Sequence, residues 1–215
     1  ASTHDTILFF TTKGRVYRLK GYEIPEGSRT SKGMNIVNLL PLENGETISS
    51  MNCGRGDDYK YLCMFTRNGI IKRSAVTEYA NIRRTGVIAI TLDEGDELAW
   101  VKMTKGNDDI IVATKKGMSI RFNENDARPI GRTARGVKAI ELAEGDEVIG
   151  VATVEEGKSI LTVSETGFGR ISDFDNYRIQ SRGGKGLINY HTEKNGDVAA
   201  VTSVSDDNDI ILISS

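Results

Sequence analysis

Short apolar runs alternate with glycine-bearing polar turns along the whole chain. Four runs recur, Ile7–Phe10, Tyr61–Phe65, Ile110–Ala113 and Ile160–Val163. Each leads through a Thr or Ser to a glycine three positions on: Thr11 to Gly14, Thr66 to Gly69, Thr114 to Gly117 and Ser164 to Gly167. A second β-rich stretch follows the glycine, as in Val16–Leu19 and Ile70–Arg73. Glycine accepts a positive φ without steric cost, so this pattern predicts a tight hairpin. Beyond the hairpins, Val87–Leu92 and Val137–Leu142 alternate with a period of two, which predicts half-buried strands. A last strand is expected at Leu98–Val101, Val148–Val151 and Val198–Val201. No segment carries an amphipathic helical pattern of useful length.

Two further glycine series keep step with the first. Gly33, Gly86, Gly136 and Gly186 close basic clusters at separations of 53, 50 and 50 residues. Gly45, Gly95, Gly145 and Gly196 sit beside acids or Asn at separations of 50, 50 and 51. Three landmarks in phase over four copies define a repeat, and four strands per unit predict a blade. The expected architecture is all-β and propeller-like, with repeats at about 7–53, 61–104, 110–154 and 160–204. A further blade is expected to begin at residues 210–215 with Ile210–Ile213. The Trp-Asp dipeptide of WD40 blades is absent.

The chain has 215 residues and a formal net charge of −2, with ordinary apolar content, so a folded core is expected. No apolar run is long enough to span a bilayer, and residues 1–5 do not resemble a signal peptide. Cys53 and Cys63 lack the partners of a disulfide framework or zinc site and read as reduced thiols. The near-neutral total hides a strong polarity. Windows 13–33, 67–86, 115–136 and 165–186 hold 21 of the 28 bases and 8 of the 30 acids.

That polarity repeats in phase with the blades, so each blade is expected to place its positive loop at the same radial position. Stacked, the loops would form one curved positive stripe, with acidic turns such as Asp93–Glu97 and Glu144–Glu147 falling elsewhere on each blade. A cationic stripe without a base-reading helix suits a bent duplex held by its phosphates. The cations assigned to it are Arg15, Arg18, Arg29 and Lys32 in the first repeat, and Lys72, Arg73, Arg83 and Arg84 in the second. The third supplies Arg121, Arg132 and Arg135, and the fourth Arg170, Arg182 and Lys185. The alternative is a propeller-like protein-interaction scaffold, which would explain the blades without the in-phase cations.

The repeat, together with Gly14–Leu19, Val37–Leu42, Glu94–Leu98 and Gln180–Gly186, closely resembles the C-terminal domain of the DNA gyrase A subunit. The resemblance implies a six-bladed β-pinwheel in which strands are exchanged between neighbouring blades. It also implies a basic rim that wraps duplex DNA with a positive crossing, so that the holoenzyme introduces negative supercoils. The implied partners are double-stranded DNA, the same subunit's N-terminal cleavage domain and the gyrase B subunit in an A2B2 assembly, without a membrane. The implied location is the bacterial cytoplasm, at the nucleoid. ATP and Mg²⁺ would belong to the holoenzyme, with no cofactor in this chain. The related domain of topoisomerase IV is the runner-up.

The family's signature box reads Gln-Arg-Arg-Gly-Gly-Lys/Arg-Gly and normally lies in the first blade. Here Gln180, Arg182, Gly183, Gly184, Lys185 and Gly186 match it, Ser181 departs from it, and the segment lies in the fourth repeat. A degenerate box in a later blade, with the family's first blade upstream, is the expectation. No P-loop, metal-ligand spacing or activated nucleophile is present, so strand cleavage and ATP turnover are expected elsewhere in the holoenzyme.

Overall fold

A computed structural model describes residues 2–53, 59–154, 159–205, 207 and 209–211. It divides the chain into two compact units, Ala1–Asn107 with Ala127–Lys138, and Asp108–Asp126 with Ala139–Ser215. Among the described residues no helix is long and apolar enough to cross a membrane.

The first unit contains β1 (Thr6–Thr11), β2 (Arg15–Lys20), β3 (Ile48–Cys53), β4 (Tyr61–Thr66), β5 (Ile70–Ala75), β6 (Val87–Ile88) and β7 (Leu98–Thr104). The second contains β8 (Asp109–Thr114), β9 (Met118–Asn123), β11 (Val148–Val154), β12 (Ser159–Ser164), β13 (Gly169–Asp173), β14 (Leu187–Ile188) and β15 (Val198–Val204). The remaining strand, β10 (Val137–Lys138), belongs to the first unit.

Among the described residues four antiparallel sheets result, ordered β3-β1-β2-β6, β10-β5-β4-β7, β11-β8-β9-β14 and β13-β12-β15. In each of the first three sheets, the strand beside the hairpin's second strand comes from the next repeat. Val87 and Ile88 pair with Val16 and Arg15, Val137 and Lys138 with Ile71 and Ile70, and Leu187 and Ile188 with Ser119 and Met118. This is a β-pinwheel with strand exchange between blades.

The hairpin motif has a local cause. The buried Thr or Ser hydroxyl accepts from the backbone N–H just after the glycine, at 3.3, 3.2, 3.1 and 3.3 Å in the four repeats. Its own carbonyl accepts from the glycine N–H at 2.9–3.1 Å. The same residue sits at a break in strand register in all four hairpins, where the edge strand joins it. One side chain thus closes the turn and satisfies a buried donor.

The expected long strands at Val87–Leu92 and Val137–Leu142 are not formed. Only their first two residues pair, and they complete the preceding blade. Ala89, Ile90, Ala139 and Ile140 then turn inward and are essentially fully buried. The backbone amides of Ala89 and Ile90 share the Gly14 carbonyl at 2.7 and 3.1 Å, which ends the ladder there. Periodicity alone could not reveal this, because the chain leaves the ladder after two residues and buries two neighbours in a row, Ala89 with Ile90 and Ala139 with Ile140. The expected strand at Ile210–Ile213 is likewise absent at Ile210 and Ile211, and its remainder lies outside the described residues.

The core of the first unit joins both of its hairpins, with Leu8, Phe10 and Val16 packed with Leu62, Met64, Tyr79 and Leu98. In the second unit Ile111, Ala113, Ala152, Ile160, Phe174, Tyr177 and Val198 form the equivalent cluster. The strand aromatics Phe9, Phe10, Tyr17, Phe65 and Phe122 are buried and serve packing.

Candidate nucleic-acid interface

The cations of the four windows fall into three structural settings. At the hairpin tips they meet acids. Lys13 and Arg15 reach Glu43 at 3.8 and 3.2 Å, Arg67 reaches Glu97 at 3.2 Å, and Lys116 reaches Asp197 at 3.0 Å. The acidic turns therefore do not fall elsewhere on the blade but fold over the positive hairpin tips. The cause is the turn carboxylates, since Asp96 and Asp146 accept from the tip amides of Asn68 and Lys116, each at 3.0 Å.

A second set ties repeats together. Arg18, Arg73 and Arg121 occupy the same point of three hairpins and donate to carbonyls of the following repeat. Their acceptors are Ala80 at 3.4 Å, Ala127 at 3.3 Å and Phe174 at 2.8 Å. Arg73 is buried and lies over the Tyr61 ring at 3.9 Å. Arg121 also pairs with Asp109 at 2.9 Å.

Lys72 is fully buried, and its ammonium donates to the Tyr79 hydroxyl and to the carbonyls of Ala89 and Arg132. Burial, with Arg132 nearby, pushes its pKa down from 10.5 to about 7, against the opposing pull of Glu78. Lys72 and Arg73 were expected to contact phosphate and cannot do so from these positions. The arm of the next repeat covers them, which the sequence of their own repeat does not announce.

The third set lies on the arms, the segments that carry each basic cluster to the preceding blade. Arg83 and Arg84 are exposed, and Arg132 is half-buried. The Arg132 guanidinium donates to the Ile88 carbonyl, while the Thr91 amide and hydroxyl hold the carbonyls of Ala134 and Thr133 at 3.2 and 2.7 Å. Successive arms are thereby stitched side by side in the first unit. The result is an open cleft of about 650 Å³, lined by Arg15, Arg18, Arg83 and Arg132 around Val87 and Ile88. Arg15 is fixed there by a 2.7 Å bond to the Thr85 carbonyl. Arg135 is exposed but forks onto Asp93, whose carboxyl it holds below its usual pKa.

In the second unit the box-like segment is also stitched to its neighbour arm. Gly183 donates to the Ala139 carbonyl at 2.8 Å, and the Gly184 carbonyl accepts from Glu141 at 2.9 Å. Gln180 donates its amide to the Arg121 carbonyl at 2.8 Å, and Arg182 bonds Asp126 through its amide and its Nε, each at 3.2 Å. At Gly186 (φ +77°) a Cβ would stand 2.3 Å from the Ser119 carbonyl oxygen, so only glycine lets the arm reach β9. Ser181 and Lys185 stay exposed. Arg170 is exposed on β13, and a cleft of about 110 Å³ brings it together with Arg178, Leu187 and Ile188. Arg29 and Lys32 lie on an arm that is exposed from Tyr22 to Asn35. Arg178 and Lys138 are exposed arm cations outside the set assigned from sequence, although their phase beside the glycine series would have found them.

Among the described residues, no group of three or more His, Cys, Asp and Glu side chains is placed to hold a metal ion. What the arms offer is clustered guanidinium donors in open clefts, a chemistry suited to phosphate oxygens.

Known proteins resemble this chain in sequence and in fold. The DNA gyrase A subunit of Clostridium acetobutylicum is 54% identical over 136 residues, covering 63% of this chain and 16% of its own length. That of Halalkalibacterium halodurans is 53% identical over 136 residues, with the same coverages. This chain thus spans about a sixth of the length of the curated relatives it matches. A solved DNA gyrase A C-terminal domain superposes with a TM-score of 0.79 at 29% identity, covering 96% of this chain and 68% of that one. The C-terminal domain of a DNA topoisomerase IV gives 0.85 at 23% identity, covering 95% and 65%, and so shares the fold. A family model described as DNA gyrase C-terminal domain, beta-propeller, matches residues 5–53, 60–105, 108–155 and 158–205. With four matched segments taking in most of its length, the chain belongs to the DNA gyrase C-terminal domain family.

Proposed function

We propose that the chain is a non-catalytic module of a gyrase A subunit that holds and bends duplex DNA by its phosphates. The observation that carries this reading is the side-by-side stitching of arms, which gathers Arg15, Arg18, Arg83 and Arg132 around one open cleft. Arginine forks on phosphates position a duplex without reading its sequence. Bending a duplex is elastically costly, so many such contacts must act along the path. Exposed arm cations Arg84, Lys138, Arg178 and Lys185 extend the set.

In the whole enzyme the module would work beside its own subunit's cleavage domain and a gyrase B subunit. ATP and Mg²⁺ would act in those parts. Holding DNA in a defined sense of crossing would let the holoenzyme supercoil it negatively.

The test is plasmid linking number after nicking and resealing in the presence of the chain. A positive shift supports gyrase-type wrapping. Binding without a shift would reduce the role to simple bending, and no binding would overturn the reading.

A further inference from the structure

Each arm that completes a preceding sheet does so with a short strand immediately after its glycine. In two of the three, that strand is wholly aliphatic: Val87 of the first packs partly on the core, while Ile88, Leu187 and Ile188 stay in solvent. Ile88 is 46% exposed, Leu187 47% and Ile188 63%. An exposed aliphatic side chain alone means little, since folded surfaces carry many. These three share a setting that recurs in both units. Ile88 pairs in register with Arg15, carries the carbonyl held by Arg132, and lines the cleft with Arg83. Leu187 and Ile188 line the second unit's cleft with Arg170 and Arg178. Each cleft is therefore an aliphatic floor rimmed by guanidinium groups.

The rim selects an anion and the floor selects an apolar surface, so the ligand must alternate the two at short range. The backbone of a DNA duplex does so, because anionic phosphates are separated by deoxyribose rings whose C–H faces are apolar. We infer that Ile88, Leu187 and Ile188 pack against deoxyribose between phosphates held by the flanking arginines, adding a salt-insensitive contact to the duplex. This rests on the reading of the chain as a module that holds duplex DNA. An aliphatic side chain has no donor or acceptor, so this contact adds affinity without base reading. Counterion release scales with phosphates neutralised, so apolar packing leaves the salt dependence unchanged.

The experiment titrates a mixed-sequence DNA duplex, several helical turns long, into the wild-type chain and a triple variant, Ile88→Ala with Leu187→Ala and Ile188→Ala. Fluorescence anisotropy is followed across a salt series. The expected result is a drop of about tenfold in affinity at every salt concentration, because three apolar side chains are truncated, with the slope of log K against log salt unchanged. Ile188→Ala alone, at the most exposed of the three sites, should give a smaller drop of the same kind and keeps the test valid if the triple variant folds poorly. Ile88→Leu with Ile188→Leu should retain wild-type affinity. Wild-type affinity in both alanine variants, or a drop that shows only as a flatter slope, would overturn the inference and leave the DNA-binding reading intact. Failure of the wild-type chain to bind the duplex would overturn both.

Discussion

Four hairpins place one residue at the same point of their second strand. Tyr17 stands opposite Phe9, Lys72 opposite Met64, Ile120 opposite Val112 and Arg170 opposite Thr162. The first three are at most 1% exposed, whereas Arg170 lies in solvent. The difference is the following arm. Gly86 packs on the Tyr17 ring, the Arg132 carbonyl accepts from Lys72, and β14 lies beside β9. Among the described residues no strand occupies the outer edge of β13. Burial at this point is therefore decided by the next repeat, and a lysine there becomes a latch while an arginine without a cover stays available to a ligand.

The arms show the same contrast from the other side. Gly186 is pressed against the backbone of β9, while Gly33, at a similar φ of +72°, has nothing within 4 Å of where a Cβ would stand. The largest expected effect follows from this pair. Gly186→Ala combines a left-handed backbone with a clash against a carbonyl, and should cost about 3 kcal/mol or more. Gly33→Ala meets only the backbone penalty and should cost about 1 kcal/mol. Denaturant unfolding of both variants measures the difference, and equal losses would show that the arms are not held by docking.

Lys72→Met should cost about 2–3 kcal/mol by the same measurement, because it strands the Arg132 carbonyl and the Tyr79 hydroxyl loses the ammonium beside it. Arg170→Met, at the uncovered position, should change stability by about 0.5 kcal/mol or less. A separate effect concerns pH. The folded chain holds the Lys72 amine near 7 against 10.5 ordinarily, so between those values the unfolded chain binds more protons. Wild-type stability should then rise with pH from about 7 to about 10.5, and Lys72→Met should lack that slope. Parallel pH profiles would contradict the burial of this amine.

Much of the fold was legible because the hairpin signal is local. A Thr or Ser three positions before a glycine carries its own hydrogen bonds, so Thr11, Thr66, Thr114 and Ser164 mark every turn without help from distant residues. The exchanged strands were implied by the family resemblance but not legible in the local pattern, since two residues such as Val87 and Ile88 are too few to show a period, and their partner lies in another repeat. The site was half legible for the same reason. Arg83 and Arg132 line the cleft, whereas Lys72 and Arg73 carry equally basic sequence and face inward. Charge phase identified the loops, but cover by the next arm decides which charges meet solvent.

We propose that position, and not total charge, governs duplex binding. This is tested most directly by the salt dependence of duplex binding for two double variants that remove the same charge. Arg83→Ala with Arg84→Ala strips exposed arm cations, and Lys13→Ala with Arg67→Ala strips tip cations already facing Glu43 and Glu97. The account predicts that the arm pair flattens the slope of log K against log salt by about 1.8, at roughly 0.9 for each phosphate no longer neutralised, while the tip pair leaves it near the wild-type value. Equal flattening by the two pairs would contradict it.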